Sequence, residues 1–92
     1  RATFAVGEGH HFHYHDDREE FLYVLQGEVE QWIGKKKICH GGDVIYVPPG
    51  VVHASFNVGS DEVRLLAIFG NKSSAAKLAV DVSEEEPWKS IR

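Results

Sequence analysis

The sequence predicts an all-β fold, a sandwich or barrel, on three observations. Residues 2–69 read as a succession of short runs rich in β-branched and aromatic residues, punctuated by glycine. Turn signals recur between the runs, the strongest at Pro48-Pro49-Gly50, where proline fixes φ and glycine supplies an angle other residues avoid. No long stretch carries the 3.6-residue apolar repeat of an amphipathic helix. About eight or nine strands at this spacing fit either architecture.

The first strand is expected over residues 3–6, ending in the Gly7-Glu8-Gly9 turn, and the second over 10–14. The polar stretch 16–19 reads as a loop. The run 21–26 (FLYVLQ) is apolar and aromatic until Gly27 interrupts it. Residues 28–33 alternate acidic or polar side chains with Val29 and Ile33, the pattern of a half-buried strand. Gly34-Lys35 suits a hairpin turn into a short return strand, 37–39. Gly41-Gly42 makes the next turn, before a compact strand over 43–47 (DVIYV). Two further strands, 51–57 and 63–69, are separated by Gly59-Ser60-Asp61.

Beyond Gly70 the character changes. Residues 73–80 (SSAAKLAV) fit either one or two helical turns or an extended arm, and 83–86 are an acidic stretch followed by Pro87-Trp88. This divides the chain into a barrel over residues 1–70 and a tail over 71–92 that packs on the barrel or on a partner subunit. Several barrel runs are apolar on both faces: Phe21, Tyr23 and Leu25 alternate with Leu22 and Val24, and Leu66 and Ile68 with Leu65, Ala67 and Phe69. One face fills the interior; the other needs cover, so a homodimer is expected.

Composition narrows the function. Ninety-two residues make one small domain, for which a bound metal or partner contributes useful stability. The net charge of −4 and the lack of a dense basic patch weigh against nucleic acid, Lys35-Lys36-Lys37 being only a short run. Cys39 is alone, which rules out an internal disulfide or a thiol-rich zinc site and fits a cytoplasmic protein. As a small buried hydrophobe it is a better reading than as a nucleophile. No apolar run approaches ~18 residues and no signal-peptide pattern appears, so no membrane is expected. The chain opens at Arg1 with strand-like sequence, as a truncated or processed fragment would.

The chemistry centres on His13-Tyr14-His15, Glu20 and a distant His53. Side chains two apart on a strand share a face, so His13 and His15 project together. A carboxylate five residues on and a third imidazole would complete an N3O set suited to iron, manganese, nickel, copper or zinc. Glycines and Pro48-Pro49-Gly50 flank both segments, setting tight turns and the entry angle of the His53 strand.

These residues carry a family resemblance. The first cupin motif, G-x5-H-x-H-x3/4-E-x6-G, is matched by Gly7, His13, His15, Glu20 and Gly27. The second, G-x5-P-x-G-x2-H-x3-N, is matched by Gly42, Pro48, Gly50, His53 and Asn57. The chain therefore resembles a small single-domain cupin, with the match running from Gly7 to Asn57 and strand content extending it to about Phe69. The resemblance implies a double-stranded β-helix, or jelly-roll, barrel with one divalent transition metal ion on His13, His15, His53 and Glu20. It also implies a small-molecule substrate or ligand. With octahedral geometry, two positions stay open for water, a bidentate substrate or dioxygen.

Three activities fit that resemblance. The leading one is a metal-dependent dioxygenase of the quercetinase-like kind, with Glu20 able to act as general base. A lyase or isomerase would use the metal as Lewis acid. The cupins that cleave dimethylsulfoniopropionate use pocket tyrosines as bases. Here Tyr23 has the wrong parity, and Tyr14 and Tyr46 are the remaining candidates. The third is a ligand- or metal-sensing module. Among neighbouring residues, His11 shares parity with His13 and His15 and lines the cavity or its rim. Ser55, in phase with His53, and Gln31 are candidate pocket residues. Asn57 fits a structural hydrogen-bonding role or a substrate role. His10 and His40 read as exposed turn residues. Glu19 belongs to the polar loop, with Glu20 favoured as ligand by the motif spacing.

Overall fold

A computed structural model of the chain describes residues 2–16, 18–70 and 80–91. The glycine-punctuated runs form nine strands: β1 (Ala2–Phe4), β2 (Gly9–Tyr14), β3 (Glu20–Gln26), β4 (Glu28–Ile33), β5 (Lys35–His40), β6 (Val44–Val47), β7 (His53–Asn57), β8 (Val63–Phe69) and β9 (Val80–Asp81). One short helix, α1 (Trp88–Ile91), follows. The strands make two antiparallel sheets, β1-β8-β3-β6 and β5-β4-β7-β2-β9, facing each other as the two halves of a jelly-roll barrel. No helix among the described residues is long and apolar enough to cross a membrane.

Period-two patterning places the core. Along β3, Glu20, Leu22 and Val24 are buried while Phe21, Tyr23 and Leu25 are exposed. The inward set joins Phe4, Val29, Cys39, Ile45, Val47, Val63 and Leu65 between the sheets. Burial pushes the Cys39 thiol above its ordinary pKa, with the Asp43 carboxylate adding to the effect, as fits a core side chain. The outward set of the four-stranded sheet, including Phe21, Tyr23, Val44, Tyr46, Leu66 and Ile68, stays on the surface.

The five-stranded sheet differs because both of its faces are covered. Phe12, Ala54, Phe56 and Val82 form a second buried cluster outside the barrel, with Trp32 and Trp88 packed against it. Every residue of β7 is buried as a result. The described tail residues supply this cover. β9 adds to the edge of β2, pairing Asp81 with His13 and Val80 with Tyr14, and the Val82 amide donates to the Phe12 carbonyl. The expected turns or arm over 73–79 lie outside the described residues.

Strand ends depart from the sequence expectation where a turn or pairing decides them. The first strand stops at Phe4, not residue 6, because the Glu8 amide turns back onto the Ala5 carbonyl and Gly7 takes φ 88°. The return strand β5 is longer than 37–39, since it pairs with β4 along its whole length, from Ile33↔Lys35 to Glu28↔His40. β7 begins at His53 instead of residue 51.

The main surprise is in β2. His10 pairs with Ser55 and His13 with His53, so three steps on β2 match two on β7. A β-bulge absorbs the extra residue, and strict alternation fails there. His10 and His13 consequently face the same side, whereas the His11 ring lies against Phe56 of the outer cluster, with 5.2 Å between ring centroids.

Candidate metal centre

Three strands converge on one spot between the sheets. The end of β2 and the residue after it supply His13 and His15, the first position of β3 supplies Glu20, and the first position of β7 supplies His53. One ligand-capable atom from each of the four lies within 4.8 Å of the others. His53 is 2% exposed and Glu20 6%, both far below what an unpaired ionisable side chain tolerates. Ring centroids stand 4.2 Å apart for His13 and His53, 5.2 Å for His13 and His15, and 5.5 Å for His15 and His53.

Backbone carbonyls orient two of the rings. His13 Nδ1 lies 2.6 Å from the His11 carbonyl oxygen, and His53 Nδ1 lies 3.0 Å from that of Val51. A carbonyl can only accept, so each Nδ1 carries a proton and Nε2 is the ring nitrogen left to the cluster, the arrangement usual for metal-ligating histidines. His53 Nε2 also sits 3.0 Å from Glu20 Oε1, and His15 Nε2 sits 3.5 Å from the same oxygen. For a neutral His53 this sets a nitrogen lone pair against a carboxylate lone pair in a buried place. A shared cation resolves that conflict, so the donor set fits a divalent metal on an observation of its own geometry.

The electrostatics run the same way. Burial holds the His13 pKa down to about 4, and the neighbouring His53 and His15 push in the same direction. Its imidazole is therefore neutral and ready as a donor across the physiological range. Burial acts to raise the pKa of Glu20, but wherever His53 Nε2 carries a proton its hydrogen bond, together with the nearby imidazoles, outweighs burial and holds the carboxyl below its ordinary value. The site presents three nitrogen donors and one carboxylate.

The cluster lies at the wall of a cavity of about 540 Å³ opening to solvent, whose lining includes His10, Ala67 and Phe69. A narrow inner extension reaches Leu22, Ser55 and Leu65. His11 and Asp81 stand on the lining of the outer cavity, His11 at the bulge and Asp81 on β9.

Of the other residues singled out in the sequence, Ser55 lines the inner extension and donates to Gln31 Oε1 at 2.5 Å, with Gln31 buried behind it. Asn57 does not line the cavity. Its Nδ2 donates to the Phe4 and Asp61 carbonyls at 3.1 and 2.9 Å, and its Oδ1 accepts from the Gly59 amide, which clamps the end of β7 to β1 and the following loop. Glu19 points away from the cluster and accepts from the Tyr46 hydroxyl at 2.8 Å on the outer face. None of the three tyrosines lines the cavity: Tyr14 packs on the outer cluster, and Tyr23 and Tyr46 are exposed on the outer sheet face. His40 is exposed beside Glu28, as expected.

His10 is the functional candidate that sequence reasoning missed. It lines both the cavity and its inner extension, held edge-on to Phe4 with centroids 4.9 Å apart and 6.1 Å from the His13 ring. Read from the sequence as an exposed turn residue, it is exposed, but it lies on β2 and on the same side as His13. Only the bulge brings the two together, and no residue type in 9–14 announces a bulge.

A family model described as a cupin domain matches residues 1–69. Among curated proteins, the chain is 29% identical over 82 residues to oxalate oxidase GF-3.8 of Triticum aestivum, covering 79% of this chain and 37% of that protein. Among solved structures it is similar to a predicted oxalate decarboxylase from Thermotoga maritima, at 28% identity and a TM-score of 0.71, covering 73% of this chain and 59% of the other. A structure of an oxalate oxidase matches at 25% identity and a TM-score of 0.75, over 89% of this chain and 44% of that one. The chain thus spans little more than a third of the curated relative it matches.

Proposed function

This chain belongs to the cupin family, and on that premise we propose that it is a metal-dependent oxidoreductase using dioxygen on a small organic molecule. The observation that carries the reading is the donor set itself: three imidazoles and one carboxylate, gathered within 4.8 Å at the wall of a solvent-open cavity. His13, His15, Glu20 and His53 would hold the ion. A divalent transition metal bound there would supply Lewis acidity and, if redox-active, an electron-transfer centre.

The chain's own residues do the remaining work. His10 and Asp81 offer polar contacts on the cavity lining, while Ala67 and Phe69 give it an apolar side that excludes water from part of the substrate. Glu20, ionised and within hydrogen-bond reach of the cavity, serves as general base for a substrate proton. The relatives named as an oxalate oxidase and a predicted oxalate decarboxylase support a small carboxylic acid as substrate. The absence of a tyrosine from the cavity lining, among the described residues, counts against a lyase with a tyrosine base.

Oxygen uptake tests the activity. Protein loaded separately with iron, manganese, nickel and copper is offered oxalate, flavonols, diketones and small phenols. Uptake that depends on both metal and substrate is the expected result. No uptake with any pairing would turn the reading towards a sensing module.

The exposed outer face of the four-stranded sheet, with Phe21, Tyr23, Leu66 and Ile68, supports a homodimer closed across that face. Sedimentation at micromolar concentration should give twice the chain mass, and Ile68→Glu should give the monomer.

A further inference from the structure

The two sheets do not close into a seamless barrel. Edge strand β5 of one and edge strand β6 of the other face each other across a cleft of about 490 Å³, on which the metal ligands do not lie. Its floor is Gln31, Ile33, Cys39 and Ile45. Cross-strand partners share a face, so the pairs Ile33↔Lys35 and Gln31↔Lys37 aim both lysines to the inner side of β5, towards the cleft. Among the described residues neither lysine has an ion-pair partner, in a chain whose net charge is −4. Lysines on an edge strand guard it against pairing with another chain, and that alone would not make a site.

Gln31 adds what an edge guard does not need. It is 2% exposed, its Oε1 accepts from Ser55, and its Nε2 is buried with no hydrogen-bond partner. A donor left unmade in a buried position is costly, and here it belongs to a residue that lines the cleft together with both lysines. We propose that the β5–β6 cleft is a second binding site, for an organic monocarboxylate with an apolar body. The carboxylate accepts from Gln31 Nε2 and from the ammonium of Lys37, with Lys35 flanking it. The apolar body lies on Ile33, Cys39 and Ile45. Through the Ser55–Gln31 hydrogen bond, the occupant touches the same polar pair whose other end lines the inner extension of the metal cavity.

Benzoate is the probe, titrated into the isotopically labelled full chain with equimolar zinc and followed by two-dimensional amide NMR. Saturable shifts are expected at the Gln31 side-chain amide and at the backbone amides of 35–39 and 44–46. The dissociation constant should rise at least tenfold in Lys35→Glu/Lys37→Glu and in Gln31→Leu, and stay within twofold in Lys89→Glu, a control for the change in overall charge. Benzamide, without the negative charge, should bind at least tenfold more weakly than benzoate. Shifts confined to residues around His13, His53 and Phe69 would overturn the proposal. So would an unchanged constant in the double lysine variant, or equal shifts from sodium phosphate at the same concentration, which would mark an adventitious ion only.

Discussion

Replacing Glu20 by glutamine separates two quantities that most ligand substitutions lower together. In the metal-free chain, His53 Nδ1–H is committed to the Val51 carbonyl, leaving Nε2 facing Glu20 Oε1 at 3.0 Å. A glutamine amide donates to that lone pair and removes a carboxylate that is only 6% exposed. The metal-free Glu20→Gln protein should therefore be as stable as the parent or more so, by up to about 1 kcal/mol. Metal affinity should move the other way. Even screened as in bulk water, a carboxylate and a divalent ion about 2.1 Å apart attract by about 4 kcal/mol, or roughly a thousandfold. The carbonyl dipole of the amide recovers part of this, so a loss of about a hundred- to a thousandfold is expected. Urea melts of chelated protein give the first quantity, and competition with a chromophoric chelator gives the second. Affinity within threefold of the parent would refute Glu20 as a ligand. A metal-free variant weaker by more than about 2 kcal/mol would refute the lone-pair conflict.

Other substitutions probe the frame around the site. At Gly9, an alanine Cβ would fall on the Ser55 carbonyl oxygen and 2.8 Å from Phe56 Cα, so β2 must part from β7. Gly9→Ala should cost about 3 kcal/mol by urea unfolding, the upper end for overpacking. His10→Ala should leave metal content unchanged while raising KM several-fold, because the ring lines the cavity without belonging to the four-residue cluster. Acid should weaken the metal-free chain below neutrality. Between pH 6.5 and about 4 the unfolded chain holds a proton on His13 that the folded chain does not, so stability falls as pH drops through that window. The full shift would amount to about 3 kcal/mol; discounted for the ring's partial exposure, about 1–2 kcal/mol is expected. His13→Gln should abolish that loss, as read from denaturant midpoints between pH 7 and 4.

The four clustered residues were legible in part from local spacing, which sets His13 and His15 two apart with a carboxylate opening the next strand, and in part from the resemblance to the two cupin motifs, which alone tied the distant His53 to them. Burial on β3 followed equally well from alternation, which set Leu22 inward and Tyr23 outward. His10 is exposed, as read, but its place on the cavity lining was not legible, for a definite cause. Parity arguments assume an unbroken ladder, and the extra residue between His10 and His13 is set by pairing with β7, 40 or more positions away in the chain. The tail was unreadable for the same reason. Val80 and Asp81 are too short a run to look like a strand, and only the free edge of β2 makes them one. Asn57 sits at a motif position, and its three hydrogen bonds clamp a loop instead of facing the cavity.

One ion held by His13, His15, Glu20 and His53 is directly testable by metal analysis. Elemental analysis of protein purified without added metal, and again after loading and desalting, is compared for the parent, His53→Ala and His40→Ala. His53 is buried in the cluster, whereas His40 is exposed beside Glu28. About one transition-metal ion per chain is expected in the parent and in His40→Ala after loading, with His53→Ala falling at least tenfold. Equal metal content in the two variants, or none in the loaded parent, would contradict the assignment of the site.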